Sequence, residues 1–506
     1  MRGVKLWCDD GAVRYRAPRG VVTSAEVARL AELREEIRSI LCREVSEGAL
    51  SRGGQVVSHA PLSFTQMGHW NAYRRGTVPG VRHIATALRL RGHLNVDLLR
   101  ESLGLVVRRH EALRTNIVIR SGVPFQEVRS VGSAPLITIC FDGTAGDRSS
   151  GVLQAIEEFV MRPIELSTES LCEMLVIKIQ ADENILVVAI DHMISDDASL
   201  SIVLDELFQI YGNLCRGVRT AMLPVQFQFP DYAAGQRATE EELVAARMPF
   251  WQGRWLSYGR LKINPWRDYT HSEAVGWSRV PINIDSELRS ALRASAQRRG
   301  TTEALMALTA FVAAIMRWCG VTDVLIRYVI DGRSDAGISK TVGFFASVLY
   351  LRVQVERDEH LMDLLRLATQ EYCRAHANKD CGYLAAQVPR PDFTRNPAFN
   401  WIPYRAKDLP SEQAATTPSL DASRVLFTHP MLRTLDQDEE PFVLLEDVGD
   451  VVRGALYHAE RDISAETMFA FGREFMACLA DVVHSPEKSV RSSSRVMVAE
   501  PSGREA

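Results

Sequence analysis

Paired cysteines are missing from this chain. Nine cysteines are scattered over 506 residues with no CxxC pair and no histidine cluster beside them. An odd, widely spaced set excludes a disulfide framework and a zinc site built on paired thiols, and it points to reduced thiols in a cytoplasmic protein. Long apolar runs are missing too. The N-terminus, MRGVKLWCDDG, has no signal-peptide core. The most hydrophobic helical stretch, Ala304–Met316, is too short to span a bilayer and runs into Arg317. Charge of one sign is not in excess: the net charge is −4 with 24% charged residues, so neither nucleic acid nor a membrane surface is expected as the main partner. No fixed-period repeat occurs, which excludes a solenoid or propeller. What remains is a soluble globular chain long enough for two or three domains.

The stretch with the most chemical content is Leu186–Leu207, LVVAIDHMISDDASLSIVLDEL. Leu186–Ile190 reads as a strand buried on both faces. Leu200, Val203, Leu204, Leu207 and Tyr211 then recur at helical spacing. Between them, Asp191-His192-Met193-Ile194-Ser195-Asp196-Asp197 sets a histidine and three aspartates at a strand-to-helix junction. Such side chains are held rigidly yet can face a cleft. The plainer reading is a neutral core histidine with Asp197 or Ser199 as an ordinary helix N-cap.

Residues 1–45 form a unit of their own. Val4–Cys8 and Ala12–Arg16 alternate with period two around Asp9-Asp10-Gly11, which predicts a β-hairpin, and Thr23-Ser24-Ala25-Glu26 has capping-box spacing at the head of a helix. Such a unit buries too little to be an enzyme. Lys5, Arg14, Arg16 and Arg19 make the hairpin basic, suited to capturing an acidic, extended peptide by strand addition. Residues 46–60, with Gly48, Gly53 and Gly54, read as a linker. Two comparable α/β halves follow, 61–245 and 246–490. In the second, Thr301 is expected to cap a buried helix through Trp318. Residues Glu487–Ala506 are polar and are expected to be disordered, with 491–506 as the tail beyond the second half.

The N-terminal unit resembles the β-hairpin docking domains of nonribosomal peptide synthetase and polyketide synthase subunits, through Gly3–Trp7, Arg14–Gly20 and the helix after Thr23. Those domains usually begin with a further short helix that this sequence does not include. The main body is similar to condensation domains of nonribosomal peptide synthesis. Leu62–Trp70 resembles that family's opening motif, and Arg109-His110-Glu111-Ala112-Leu113-Arg114-Thr115 its second. Asp191–Asp197 falls on the active-site signature, two histidines followed by three variable residues, Asp and Gly. Asp331-Gly332-Arg333, Val342–Arg352 and Pro391–Pro397 resemble the next three. Six motifs in order over more than four hundred residues make a specific signal.

The resemblance implies a chloramphenicol-acetyltransferase-like pseudodimer of two α/β lobes with a central tunnel. Into it the phosphopantetheine arms of carrier proteins would bring the substrates, with no cofactor or metal bound by the chain itself. The implied reaction joins an acyl thioester on one carrier to an amine or hydroxyl acceptor. His192 stands at the family's catalytic histidine, and Asp196 at its structural aspartate, for which Arg333 is the expected partner. Two positions depart from the signature: Asp191 replaces the first histidine and Asp197 the glycine. Asp191 is then expected to orient or charge-stabilise the imidazole or to bind the acceptor, and Asp197 to cap the helix. His110 and Glu111 are expected to make structural contacts, and His69 to lie in surface or lobe packing.

Two rival readings stay open. Asp191, Asp196 and Ser199 fit the Asp-x4-Asp-x2-Ser spacing of heterocyclization domains, although these generally lack the histidine kept here. A catalytically inactive condensation-like recruitment platform fits the two aspartate changes. No adenylation or carrier domain follows in the sequence, so a free-standing protein receiving its donor in trans is expected, with the hairpin raising the effective concentration of an upstream acyl or peptidyl carrier. The arrangement resembles stand-alone condensation enzymes that release a finished chain from a modular polyketide synthase, as in enacyloxin biosynthesis.

Overall fold

A computed structural model describes residues 5–9, 12–16, 55–74, 83–132, 134–141, 148–219, 222–257, 277–333, 336–356, 359–379, 397–403, 421–424, 441–459 and 463–491 of the chain. Strands β1 (Lys5–Asp9) and β2 (Ala12–Arg16) pair antiparallel, with Lys5 opposite Arg16 and Trp7 opposite Arg14. Period-two alternation on both sides of a turn signal has folded as the expected hairpin. Arg19, the helix expected after Thr23, residues 46–54 of the expected linker, residues 391–396 of the last motif and residues 492–506 lie outside the described residues.

The first lobe runs β3 (Val56–Pro61), α1 (Phe64–Arg74), β4 (His83–Arg91), α2 (Val96–Arg109), β5 (Thr115–Arg120), β6 (Val123–Arg129), β7 (Leu136–Cys140), α3 (Arg148–Val160), β8 (Cys172–Gln180), β9 (Glu183–Asp191) and α4 (Asp197–Cys215). Helices α5 (Phe229–Ala238) and α6 (Glu240–Ser257) connect it to the second lobe. That lobe comprises β10 (Trp277–Ile284), α7 (Ser286–Arg298), α8 (Glu303–Cys319), β11 (Asp323–Ile330), β12 (Ser347–Gln354), α9 (Leu361–Ala377), β13 (Ala398–Ile402), β14 (Asp421–Arg424), β15 (Phe442–Asp447), β16 (Val452–Ala459) and α10 (Ala465–His484).

Strand β9 shows why the apolar run is continuous. Leu186, Val188 and Ile190 pack with Leu99, Leu103, Val203 and Leu207 of α2 and α4. Ile185, Val187 and Ala189 face the other way, toward Val152, Ile156 and Val160 of α3. A strand covered on both faces has no polar side to alternate with, and each such side chain contributes roughly 1.5–3 kcal/mol on burial. In the second lobe α8 is buried on every side from Leu305 to Met316 and packs among β11, α9 and α10.

The sheets are ordered β14-β4-β9-β8-β7 in the first lobe and β10-β16-β15-β13-β11-β12 in the second, with a smaller β3-β6-β5 sheet beside the first. Each large sheet mixes parallel and antiparallel pairs. The halves interlock through strand pairing and through buried side chains. Strand β14, from the second half of the sequence, pairs with β4, Asp421 opposite Arg91 and Arg424 opposite Leu88. Ile338, Val342, Phe344 and Phe345, from the loop between β11 and β12, are buried in the first lobe's core beside Phe229.

Three expectations are corrected. The cap of α8 is Thr302, whose hydroxyl accepts the Leu305 amide, whereas the Thr301 amide donates to the Ala296 carbonyl in the preceding turn. Strand β3 begins at Val56, inside the stretch read as linker, because its backbone pairs with β6. The polar stretch from Glu487 starts packed: Val490 is buried and its carbonyl accepts Nε of Arg317 at 2.8 Å.

Gly332 holds the loop that enters the first lobe in shape. Its φ is +75°, and a Cβ there would lie 1.9 Å from the Phe345 carbonyl oxygen. Gly332→Ala is expected to destabilise the protein by at least about 2 kcal/mol. Gly235→Ala, in α5 where an added Cβ meets nothing within 4 Å, is expected to be neutral or stabilising by up to ~1 kcal/mol. Urea denaturation of the two variants measures both.

Candidate active site

The β9–α4 junction is shaped by its own hydrogen bonds and by others that reach it from distant parts of the chain. Asp191, the last residue of β9, turns Oδ1 to the Met193 amide at 2.8 Å. The Asp191 carbonyl accepts the Ile194 amide at 3.1 Å and the Ser195 hydroxyl at 3.0 Å. Gln66 of α1 reaches across and donates Nε2 to the Met193 carbonyl at 2.7 Å. Within this turn His192 sets Nδ1 2.6 Å from the Ser195 carbonyl oxygen. A carbonyl can only accept, so Nδ1 carries the proton and Nε2 is the basic nitrogen of the neutral ring.

Asp196 closes the turn. Its Oδ1 accepts the Ser199 amide and hydroxyl, both at 2.8 Å, so Asp196 is the N-cap of α4. Asp197, expected as the cap, is the first helical residue instead. Among the described residues other than glycine, Ser121 alone has a positive φ. The backbone at Asp197 therefore accepts a side chain without strain, and a carboxylate in the first turn suits the helix dipole.

The second oxygen of Asp196 leaves the lobe. Oδ2 accepts Nη1 of Arg333 at 2.7 Å and the amides of Phe345 and Ala346 at 3.0 and 3.1 Å. Arg333 extends Nη2 to the Ser199 hydroxyl at 3.1 Å and to the Thr341 carbonyl at 3.2 Å. The Gly343 amide donates to the same hydroxyl at 2.9 Å. The Arg333 guanidinium also lies 4.5 Å over the Phe345 ring, a cation–π contact. Both ionic side chains are nearly enclosed, Asp196 at 4% and Arg333 at 5% exposed.

Burial alone would push the Asp196 carboxyl up. The Arg333 charge and the hydrogen bonds from Arg333 and Ser199 outweigh it and hold the carboxyl below its ordinary value of 3.8. Burial likewise opposes the charge on Arg333, and Asp196 and then Asp331 raise its pKa above the ordinary value.

The structure therefore brings His192, Asp191, Asp196 and Arg333 together. The sequence-based expectation missed three other side chains. Phe344 packs against His192 with ring centroids 4.1 Å apart and planes tilted by 34°. His69, expected in surface or lobe packing, has its ring 5.0 Å from His192 and 5.4 Å from Phe344. Gln66 lies one helical turn before His69 in α1, a spacing that puts the two on one side of the helix and says nothing of what that side faces. By contrast, His110 binds Glu206 at 2.7 Å in the packing of α2 on α4. Lys5, Arg14 and Arg16 occupy positions in the N-terminal hairpin, apart from this cluster in the sequence.

The sequence matches the family described as Condensation domain over residues 56–427 and the family described as TubC N-terminal docking domain over residues 1–42. Malpibaldin synthetase of Mortierella alpina is 28% identical over 337 residues, covering 65% of this chain and 6% of that protein. The chain thus spans a small part of the curated relatives it matches. Among solved structures, the X-domain from teicoplanin biosynthesis superposes with a TM-score of 0.71 at 20% identity, covering 85% of this chain and 96% of that one. The first condensation domain of the calcium-dependent antibiotic synthetase, in complex with a substrate analogue, gives 0.71 at 16% identity over 87% and 99%.

A carboxyl whose folded pKa lies below its unfolded value stabilises the fold fully above that unfolded value. The contribution is lost as pH falls through the folded pKa. The Asp196–Arg333 pair is accordingly expected to hold from neutral pH to about pH 4 and to weaken only in stronger acid. Arg333→Ala, which strands a buried carboxylate, is expected to cost about 3–5 kcal/mol. Adding Asp196→Asn is expected to recover part of that loss, and a double-mutant cycle in urea checks both.

Proposed function

The chain belongs to the Condensation domain family and begins with a TubC N-terminal docking domain; on that footing we propose that it joins a carrier-bound acyl thioester to an amine or hydroxyl acceptor. The observation that carries this reading is the His192 ring. Its Nδ1 donates to the Ser195 carbonyl, so the basic lone pair of the neutral ring lies on Nε2. The acyl group is already activated as a thioester. The protein has only to orient the acceptor, receive its proton and stabilise the developing oxyanion.

In this reading the acceptor N–H or O–H passes its proton to His192 Nε2 as the nucleophile bonds to the thioester carbon. The tetrahedral intermediate then collapses, the C–S bond breaks, and the phosphopantetheine thiolate takes the proton back from the imidazolium. A neutral imidazole offers one basic nitrogen and, once protonated, an N–H to return, so one ring serves both steps. Asp196 does not enter the proton transfers, because Arg333 and backbone amides occupy its oxygens. The same bonding accounts for Asp196 and Ser199 without cyclodehydration, which favours condensation over heterocyclization. Asp191 is a positioning residue for the turn through the Met193 amide.

The basic hairpin supports a partner that ends in a short acidic segment, delivering an acyl or peptidyl carrier whose phosphopantetheine arm enters between the lobes. An upstream carrier and release of its chain as an amide or ester fit this arrangement.

Intact-protein mass spectrometry on an acylated carrier tests the reaction. Acceptor-dependent loss of the acyl mass is expected with the wild type and a loss of rate of at least ~10²-fold with His192→Ala. A further loss of water in the product would indicate heterocyclization, and carrier binding without discharge across amine and hydroxyl acceptors would indicate a recruitment platform. Reversing Lys5, Arg14, Arg16 and Arg19 to Glu together is expected to weaken binding of an acidic carrier-terminal peptide by at least ~10-fold at low salt, measured by titration calorimetry. His192→Ala is expected to bind that peptide unchanged.

A further inference from the structure

We propose that His69 is a second imidazole of this active site, donating an N–H to the oxyanion of the tetrahedral intermediate while His192 holds the proton. The inference rests on the condensation reading above. It starts from a mismatch: Asp191 stands at the first histidine of the family signature, and its Oδ1 closes the turn on the Met193 amide. The folded site nevertheless holds two imidazoles, because α1 supplies one from more than a hundred residues upstream.

The placement of His69 is rigid. Gln66, one turn earlier on α1, is fully buried and bonded to the Met193 carbonyl and to Gln126. The Phe64 amide, at the start of the helix, donates to Oε1 of Gln236 in α5 at 2.8 Å. Arg237 covers the Phe64 ring at 4.9 Å. Helix α1 is thus tied both to the His192 turn and to α5, and it carries His69 to within 5.0 Å of the His192 ring.

The ring geometry suits a shared reacting centre. The His69 and His192 planes meet at 73° with centroids 5.0 Å apart, and Phe344 from the second lobe touches both rings. At that spacing one tetrahedral centre can lie ~3 Å from a nitrogen of each ring. His192 is 8% exposed, whereas His69 is only half-buried. A neutral imidazole carries one N–H donor and one acceptor nitrogen, so a donor beside a base needs no further protonation. The donor forms no covalent bond. It stabilises the oxyanion as it develops and releases it when the C–S bond breaks.

Single-turnover discharge of an acylated carrier to a saturating acceptor tests this with His69→Leu and His69→Gln. Leucine keeps the packing on Phe344, and glutamine keeps an N–H donor. His69→Leu is expected to slow discharge by ~10²-fold or more while carrier Kd and thermal midpoint stay near wild type; His69→Gln is expected to restore at least ~10-fold of that loss. Wild-type discharge by His69→Leu, or no recovery in His69→Gln, would overturn the role of His69 and leave the condensation reading standing. Failure of the folded wild type to discharge any acyl carrier would instead overturn the condensation reading, and this proposal with it.

Discussion

A buried carboxylate has to be satisfied completely, and Asp196 is satisfied only if both lobes are in place. One oxygen caps α4 in the first lobe, and the other takes the Arg333 guanidinium and two backbone amides from the second. Ion pairs this enclosed seldom add much net stability, since desolvation offsets their attraction, but removing one partner strands a charge at high cost. Their contribution is to the uniqueness of the arrangement. The loop that carries Arg333 also buries Val342, Phe344 and Phe345 in the first lobe's core, so apolar packing and the ion pair select the same docking of the lobes.

The position of the chemistry follows from that constraint. With Asp196 held at the head of α4, the turn from Asp191 is short enough for Ser195 to present its carbonyl to His192 Nδ1. The tautomer of the imidazole is thus set by the backbone of its own turn. Phe344 comes from the second lobe and packs against the same ring, so shifting one lobe against the other would move the ring's environment along with the clamp. Gly332 and Gly343 permit the close approach: a Cβ at the first would strike the Phe345 carbonyl, and at the second the Phe229 ring.

Much of this was legible in the sequence because it is local. The buried strand at Leu186–Ile190, the following helix, the hairpin and the apolar α8 each carry their own period or composition. The cap was misassigned by one residue because Asp196 and Asp197 are equally good capping types; what separates them is Arg333, 137 residues away. Strand β14 carried no signal, since four residues reading Asp-Ala-Ser-Arg have neither length nor alternation, and they are ordered as a strand by the edge of β4. His69 was passed over for the same reason. Its significance lies in what α1 faces, which no spacing within α1 encodes, although Gln66 and His69 share a turn.

This interlobe clamp is expected to aim His192 Nε2 at the acceptor, and a crystal structure with a hydrolysis-resistant acyl-pantetheine amide and a bound acceptor tests that aim. The acceptor nucleophile is expected within ~2.6–3.2 Å of His192 Nε2, with Nδ1 still on the Ser195 carbonyl and Asp196 still on Arg333. An acceptor bound away from His192, or a His192 ring turned off Ser195 in the loaded complex, would contradict it.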